Sequence, residues 1–287
     1  MIPFGASPNP VDLFGTPRRP DFFCIGSEKA GTTWLWHSML QHPEIGVPQT
    51  KELRYFNGLP SLDLAHFRAL KTFLEDTRNA PKRPQFLERV ATEMRLLYGG
   101  EDAYLRIFGQ LTGRVVGELT PQYCLLSRDR IKAMKALSPD ARIIYMLRDP
   151  TDRIIAGAKM VCLREGDTMS DAAILRHAKN PIQERLSNTA WHLEKFESVF
   201  GKERIHVALF DDIKTRPNAL LAEICAFLGV PPHDIPRETL SKPVNKGSDF
   251  RPSPEVQKTL YRRLRRVYLE LEPRFPQQVA TWSARYQ

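Results

Sequence analysis

Long apolar runs are absent from this 287-residue chain, and no stretch approaches the length of a transmembrane span. The opening residues MIPFGASPNPVDLFGTPRRPDFF lack an apolar core segment and are broken by prolines, which argues against a secretory signal peptide. The expectation is a soluble, cytoplasmic protein without membrane insertion. Cysteine is scarce. Cys24, Cys124, Cys162 and Cys225 are scattered with no CxxC pair, which favours free, mostly buried thiols of a reducing compartment over disulfides. No His/Cys cluster has zinc spacing, so no metal is expected. Internal repeats and low-complexity tracts are also missing.

What is present is an ordinary globular composition with a net charge of +9. That charge favours an anionic partner, whether a nucleotide, a nucleic acid, an acidic polymer or a membrane surface, without choosing among them. The length suits one large domain or two small ones.

Strand and helix signals alternate. DFFCIG (21–26), RVVGEL (114–119), RIIYML (142–147) and RIHVALF (204–210) read as buried strands. Helical spacing is seen from Thr32 to Gln41, over 184–200 (Leu186, Ala190, Leu193, Phe196, Phe200) and over 217–229, where Gly229 stops the run. Val256, Leu260, Leu264, Val267 and Leu271 form a further stripe. This alternation predicts an α/β fold, a central parallel β-sheet of about four or five strands flanked by helices. Residues 1–20 read as an irregular arm. Residues 21–287 read as a single domain with a charged helical insertion at about 60–112, a natural place for substrate-binding structure. The C-terminal TWSARYQ carries no readable signal.

The most informative stretch is FFCIGSEKAGTTWLWHSML, residues 22–40. Here a strand turns into a helix, whose N-terminus attracts anions through unpaired amides and the helix dipole. Gly31 permits close backbone approach, Thr32 and Thr33 add hydroxyl donors, and Lys29 adds a mobile cation. SEKAGTT therefore reads as a phosphate cradle, against the plainer reading of a strand–turn–helix with an exposed lysine. It is not a Walker A loop, because Lys29 precedes Gly31 rather than following the last glycine.

KAGTTWL after a strand resembles the 5′-phosphosulfate loop of sulfotransferases that use 3′-phosphoadenosine 5′-phosphosulfate. Four further stretches keep that family's order. KELRYFNG (51–58) and GELTPQY (117–123) resemble segments of the heparan-sulfate branch and its bacterial relatives. LRDPTDRIIAG (147–157) resembles the 3′-phosphate motif, and PVNKGSDF (243–250) the late Lys-Gly loop. The resemblance implies a P-loop NTPase-like sulfotransferase fold. It also implies sulfuryl transfer from 3′-phosphoadenosine 5′-phosphosulfate, leaving adenosine 3′,5′-bisphosphate, to a hydroxyl-bearing acceptor. That acceptor would be a saccharide or a glycosylated small molecule, with no nucleic acid and no metal involved.

Sulfuryl transfer, by analogy with phosphoryl transfer, asks mainly for positioning and charge stabilisation. Lys29, Ala30, Gly31, Thr32 and Thr33 are expected on the donor's 5′-phosphate, with Lys29 also catalytic. The resemblance aligns Glu52 with the branch's catalytic base, against a surface ion pair with Lys51 or Arg54. Arg148, at a strand end, suits the 3′-phosphate through its planar fork, against a salt bridge with Asp149 or Asp152. Arg153 is a weaker candidate of the same kind. Lys246 and Gly247, with Asn245 beside them, would close over the adenosine. Trp34 either packs near the adenine or belongs to the core. Tyr55 and Phe56 are expected to wall the acceptor pocket, and His37 and His42 are read as structural.

Two positions depart from the family pattern. Ala156 stands where the 3′-phosphate motif usually has serine, with Lys159 one turn on as a substitute, and Leu119 replaces the lysine of the branch's EKTP segment. Two other readings stay open: a nucleotide-binding relative without turnover, and a nucleoside kinase or NTPase using the same cradle. The missing GK[ST] and the missing acidic partner for Mg²⁺ oppose the second. YRRLRRVY (261–268) reads as a solvated basic helix face rather than a nucleic-acid surface.

Overall fold

Five parallel strands form the centre of the computed structural model, which describes residues 15–58, 99–236 and 248–287 and positions 90, 92, 93, 96 and 97. They are β1 (Phe22–Gly26), β2 (Ile45–Gly46), β3 (Val115–Leu119), β4 (Arg142–Leu147) and β5 (Ile205–Leu209). Their spatial order is β2-β3-β1-β4-β5, and every ladder is parallel. A parallel sheet is covered on both faces, so its strands read as nearly unbroken apolar runs. Phe22, Cys24, Ile144 and Met146 point to one core, and Phe23, Ile25, Ile143 and Tyr145 to the other. Phe22 lies opposite Gly117, where a Cβ would sit 2.3 Å from the Phe22 carbonyl oxygen, so β1 and β3 close only over glycine.

The helices of the described residues begin with α1 (Thr32–Met39), α2 (Gly100–Gly109), α3 (Arg128–Leu137) and α4 (Pro150–Glu165). There follow α5 (Asp171–Ala178), α6 (Pro181–Ser187), α7 (Thr189–Phe200), α8 (Asp212–Thr215) and α9 (Pro217–Leu228). The last three are α10 (Pro254–Arg263), α11 (Arg265–Leu271) and α12 (Pro276–Ser283). Helix α4 starts where the sequence places a cap and a proline: the Asp149 carboxylate accepts from Thr151 N at 2.8 Å, Pro150 follows, and left-handed Gly166 ends the run.

Three elements differ from the sequence reading. The stripe at 184–200 is two helices, because the Asn188 side chain accepts from Trp191 N and starts α7 afresh. The stripe at 256–271 divides at Leu264, yet Leu260, Leu264, Val267 and Leu271 stay buried across the break. The two-residue β2 was not among the expected strands. Of the helical stretch expected at 60–112, residues 60–89, 91, 94, 95 and 98 lie outside the described residues, as does 1–14 of the expected arm.

The strand order places the site. The chain leaves β1 for the edge, returns through β3, then crosses β1 to reach β4. Open α/β sheets bind ligands at such a reversal, beyond the carboxyl ends of the strands. The loops after β1 and β4 are therefore neighbours.

Candidate active site

The β1–α1 turn is held by packing rather than by side-chain caps. Gly31 caps α1 with φ 90° and offers no side-chain bond to the first-turn amides. A Cβ there would lie 2.3 Å from Ile213 Cδ1 and 3.1 Å from Phe210 Cδ2. Ala30 is fully buried and donates its amide to Ser27 O at 3.2 Å. Thr32 is buried and Thr33 half-buried. The result is a helix N-terminus with orphan amides, a setting that attracts oxyanions.

Lys29 sits in this turn with φ 67°. Burial pushes its ammonium below the ordinary lysine value, with Glu28 opposing and Arg148 and Lys51 adding to the fall. Its carbonyl accepts from Arg148 Nη1 at 2.8 Å. Arg148 leaves the end of β4, and its guanidinium lies 4.3 Å from the centroid of the Phe210 ring. Its Nε is buried and has no hydrogen-bond partner among the described residues. The expected rival, a salt bridge to Asp149 or Asp152, is not what forms: both carboxylates pair with Arg285. Burial also lowers the Arg148 pKa, opposed by Asp152, Asp149 and Asp211.

Arg153 is placed differently. It is 1% exposed and donates to Ser187 Oγ, Gln183 O and Gln183 Oε1, each at 2.8 Å, so it ties α4 to α6. Trp34 packs in the core that contains Phe22 and Met146. His42 bridges Pro231 O and Glu44 N, in keeping with a structural role.

The second loop follows β2. Lys51 Nζ lies 2.7 Å from Glu52 Oε1, and Arg54 Nη2 lies 2.9 Å from Oε2. Burial alone would raise the Glu52 carboxyl, but the two cations outweigh it and bring its pKa down to about 2. Glu52 N donates to Leu119 O at 3.2 Å, and Thr120 N donates to Cys24 O at 2.9 Å. The first bond fastens this loop to the end of β3, and the second ties the end of β3 to β1. Leu119, where the resembling branch has lysine, is 1% exposed and belongs to the core. Phe56 is buried against Phe23, Tyr104 and Tyr123, and Tyr55 stacks on Tyr104 at 4.0 Å. Phe56 thus supports the loop from beneath, in place of the expected pocket wall.

Glu118 was not singled out from the sequence. It is 1% exposed and accepts from Tyr104 OH (2.5 Å), Thr120 Oγ1 (2.7 Å) and Tyr123 OH (2.9 Å). Burial raises its pKa, and the three hydroxyls oppose the rise. A charged residue inside the otherwise apolar strand VVGEL was the available signal.

Lys159 Nζ donates to Ser248 O at 3.3 Å. Asn245, Lys246 and Gly247 lie outside the described residues. At the other end of α4, Cys162, Asp167 and His177 bring ligand-type atoms within 4.8 Å of one another. The Asp167 carboxylate is already shared by Arg176 (2.5 Å) and His177 (2.6 Å), an ion pair joining α5 to the turn after α4.

A cradle after the first strand and an arginine after the neighbouring strand agree with what sequence comparison finds: the profile of the sulfotransferase family matches residues 20–234. The chain belongs to the sulfotransferase family. It is similar to the bifunctional heparan sulfate N-deacetylase/N-sulfotransferase 4 of Mus musculus, at 25% identity over 253 residues, covering 79% of this chain and 24% of the relative. The heparan sulfate glucosamine 3-O-sulfotransferase 6 of Homo sapiens is 26% identical over 286 residues, covering 92% and 72%. The chain thus spans about a quarter of the length of the first relative. Among solved structures, a sulfotransferase from Alicyclobacillus acidocaldarius superposes with a TM-score of 0.66 at 26% identity, over 92% of this chain and 99% of that one. A sulfotransferase domain from the curacin biosynthetic pathway, at 18% identity and a TM-score of 0.50 over 86% and 98% of the two chains, shares the fold. No helix among the described residues is long and apolar enough to cross a membrane.

Proposed function

We propose that this sulfotransferase carries sulfuryl from 3′-phosphoadenosine 5′-phosphosulfate to a hydroxyl on a saccharide or glycosylated small molecule. One observation carries the assignment of residues. The non-glycine residues with left-handed φ among the described ones are Lys29, Glu52 and Arg54. Such backbone costs about 1–3 kcal/mol per residue and collects at functional sites. Here it falls on the two loops that bear the proposed acid–base and charge-stabilising groups.

In this reading the α1 amides, Gly31, Thr32, Thr33 and Lys29 receive the charge that grows on the donor's 5′-phosphate as the sulfur–oxygen bond breaks. The unpartnered Nε of Arg148 takes the 3′-phosphate, and Lys246 and Gly247 close the nucleotide side. Lys159 is the available substitute for the serine missing at Ala156. Glu52 accepts the acceptor's proton. A carboxylate at about 2 is a feeble base near neutrality. Its role therefore requires Lys51 or Arg54 to turn from Glu52 toward the incoming anions, which restores its proton affinity. No step calls on a metal.

The test is transfer by Lys29→Ala and Glu52→Ala. Loss of one preorganised charge contact is expected to lower kcat by roughly 10²–10³ for Lys29, and loss of the base by roughly 10²–10⁴ for Glu52. Affinity for adenosine 3′,5′-bisphosphate should fall more for Lys29→Ala. Near-normal turnover by Glu52→Ala removes the base assignment, and thermal stabilisation by ATP–Mg²⁺ alone points to a kinase.

A further inference from the structure

The three carboxylates whose charge acts on Arg148 are Asp149, Asp152 and Asp211. Each is engaged by the last stretch of the chain. Asp149, 1% exposed, accepts from Tyr286 OH at 2.9 Å and from Tyr268 OH and Arg285 Nη2. Asp152 pairs with Arg285 Nη1 at 3.0 Å. Asp211 accepts from Trp282 Nε1 at 2.7 Å and Gln278 Nε2 at 2.9 Å. Tyr286 is itself buried and stacked on Tyr261 at 5.2 Å. Arg148, adjacent to Asp149 in sequence, bonds to none of the three. Its Nη1 goes to Lys29 O and its Nε has no hydrogen-bond partner among the described residues.

An arginine beside free carboxylates would be expected to pair with them, since a planar fork and a carboxylate match bidentately. The C-terminal side chains remove that option. We infer that Arg285 and Tyr286 form a clamp that occupies Asp149 and Asp152 and so keeps the Arg148 guanidinium available to an oxyanion. They are positioning residues. They act through Arg148 and touch no nucleotide. The inference rests on the nucleotide assignment of Arg148 above, and it explains why residues at the far end of the sequence bear on a motif at 147–153. Removing Arg285 frees the half-buried Asp152 carboxylate and takes one donor from Asp149, and Arg148, on which both charges act, is a cation able to answer them.

The experiment compares adenosine 3′,5′-bisphosphate binding by calorimetry for the wild-type protein, R285Q, D152N and the R285Q/D152N double variant. Loss of a charge-assisted contact to phosphate predicts roughly ten- to hundredfold weaker binding by R285Q. The double variant should recover the part of that loss due to Asp152, because Asp149 stays held by Thr151 N and by the Tyr268 and Tyr286 hydroxyls. A merely structural role for Arg285 would leave the double variant as weak as R285Q, and that result overturns the inference, as does wild-type affinity in R285Q. Should R285Q fail to fold, R285K keeps the charge but loses the fork, and its weaker binding must likewise recover with D152N. A wild-type protein that does not bind the bisphosphate refutes the nucleotide reading instead. The clamp is then judged on the crystal structure of R285Q, and it fails if Arg148 still bonds Lys29 O and stays apart from Asp149 and Asp152.

Discussion

Gly31→Ala probes the turn on which the proposed donor site is built. Two penalties apply. A non-glycine residue in the left-handed region costs about 1–2 kcal/mol. A methyl group at 2.3 Å from Ile213 Cδ1 and 3.1 Å from Phe210 Cδ2 overfills a packed junction, at about 1–3 kcal/mol. Alanine returns about 0.4–1 kcal/mol by restricting the unfolded chain. The net expectation is roughly 1–5 kcal/mol of lost stability, shared between the backbone and the overpacking penalties. Gly166→Ala supplies the control. Gly166 also has positive φ, 76°, but a Cβ there meets nothing within 4 Å, so only the backbone penalty remains. Urea unfolding of the two variants isolates the packing contribution as their difference. Phe210 also carries the Arg148 guanidinium, so it cannot yield to the new methyl without moving that arginine. Gly31→Ala should therefore weaken adenosine 3′,5′-bisphosphate binding, and Gly166→Ala should not. Equal destabilisation by the two variants would refute the packing argument, and unchanged nucleotide affinity in Gly31→Ala would refute the coupling to Arg148.

Glu118→Ala strands three buried hydroxyls, on Tyr104, Thr120 and Tyr123, and should cost at least ~3 kcal/mol in urea unfolding. Glu118→Gln, which keeps an acceptor oxygen, should lose less, and a loss no larger than that of a surface substitution would contradict the network. Glu52 gives a pH signature. Its folded pKa of about 2 lies below the unfolded value of 4.5, so its stabilisation is fully present above 4.5 and disappears as pH falls toward 2. Wild type and Glu52→Gln should differ by up to about 3 kcal/mol near neutrality and converge between pH 4.5 and 2. A difference that stays constant through that window would show that the ion pairs with Lys51 and Arg54 do not set the carboxyl.

Much of the architecture was legible because its signals are local. DFFCIG and RIIYML are apolar runs flanked by polar residues, and both became central strands. The turn from β1 into α1 was legible because its residues are consecutive. Strand β2 was not, since two residues cannot display a period. The break at Leu264 was hidden because the apolar stripe continues in phase across it. The cap at Asn188 was hidden inside an apolar stripe that continues past it. Glu118 showed only as a charge inside a strand, with no hint that Tyr104 and Tyr123 would meet it. The side-chain partners of Asp149 lie more than a hundred residues away, so no pattern near LRDP announces Arg285 or Tyr286. Arg153 sits in the same motif; its Nε and Nη2 bond Ser187 and Gln183 through the packing of α4 on α6, which no local pattern announces, while its Nη1 is buried without a hydrogen-bond partner among the described residues.

The bond from Arg148 to the Lys29 carbonyl joins two loops that belong to adjacent strands. Because the register of β1 against β4 sets where each loop starts, the backbone spacing of the two loops is a property of the sheet. In the proposed reading, the two loops form a built-in ruler for the separation of two negative groups on one molecule. Changing the length it measures would mean shifting a strand, whereas changing what lies beyond either mark would need only new side chains.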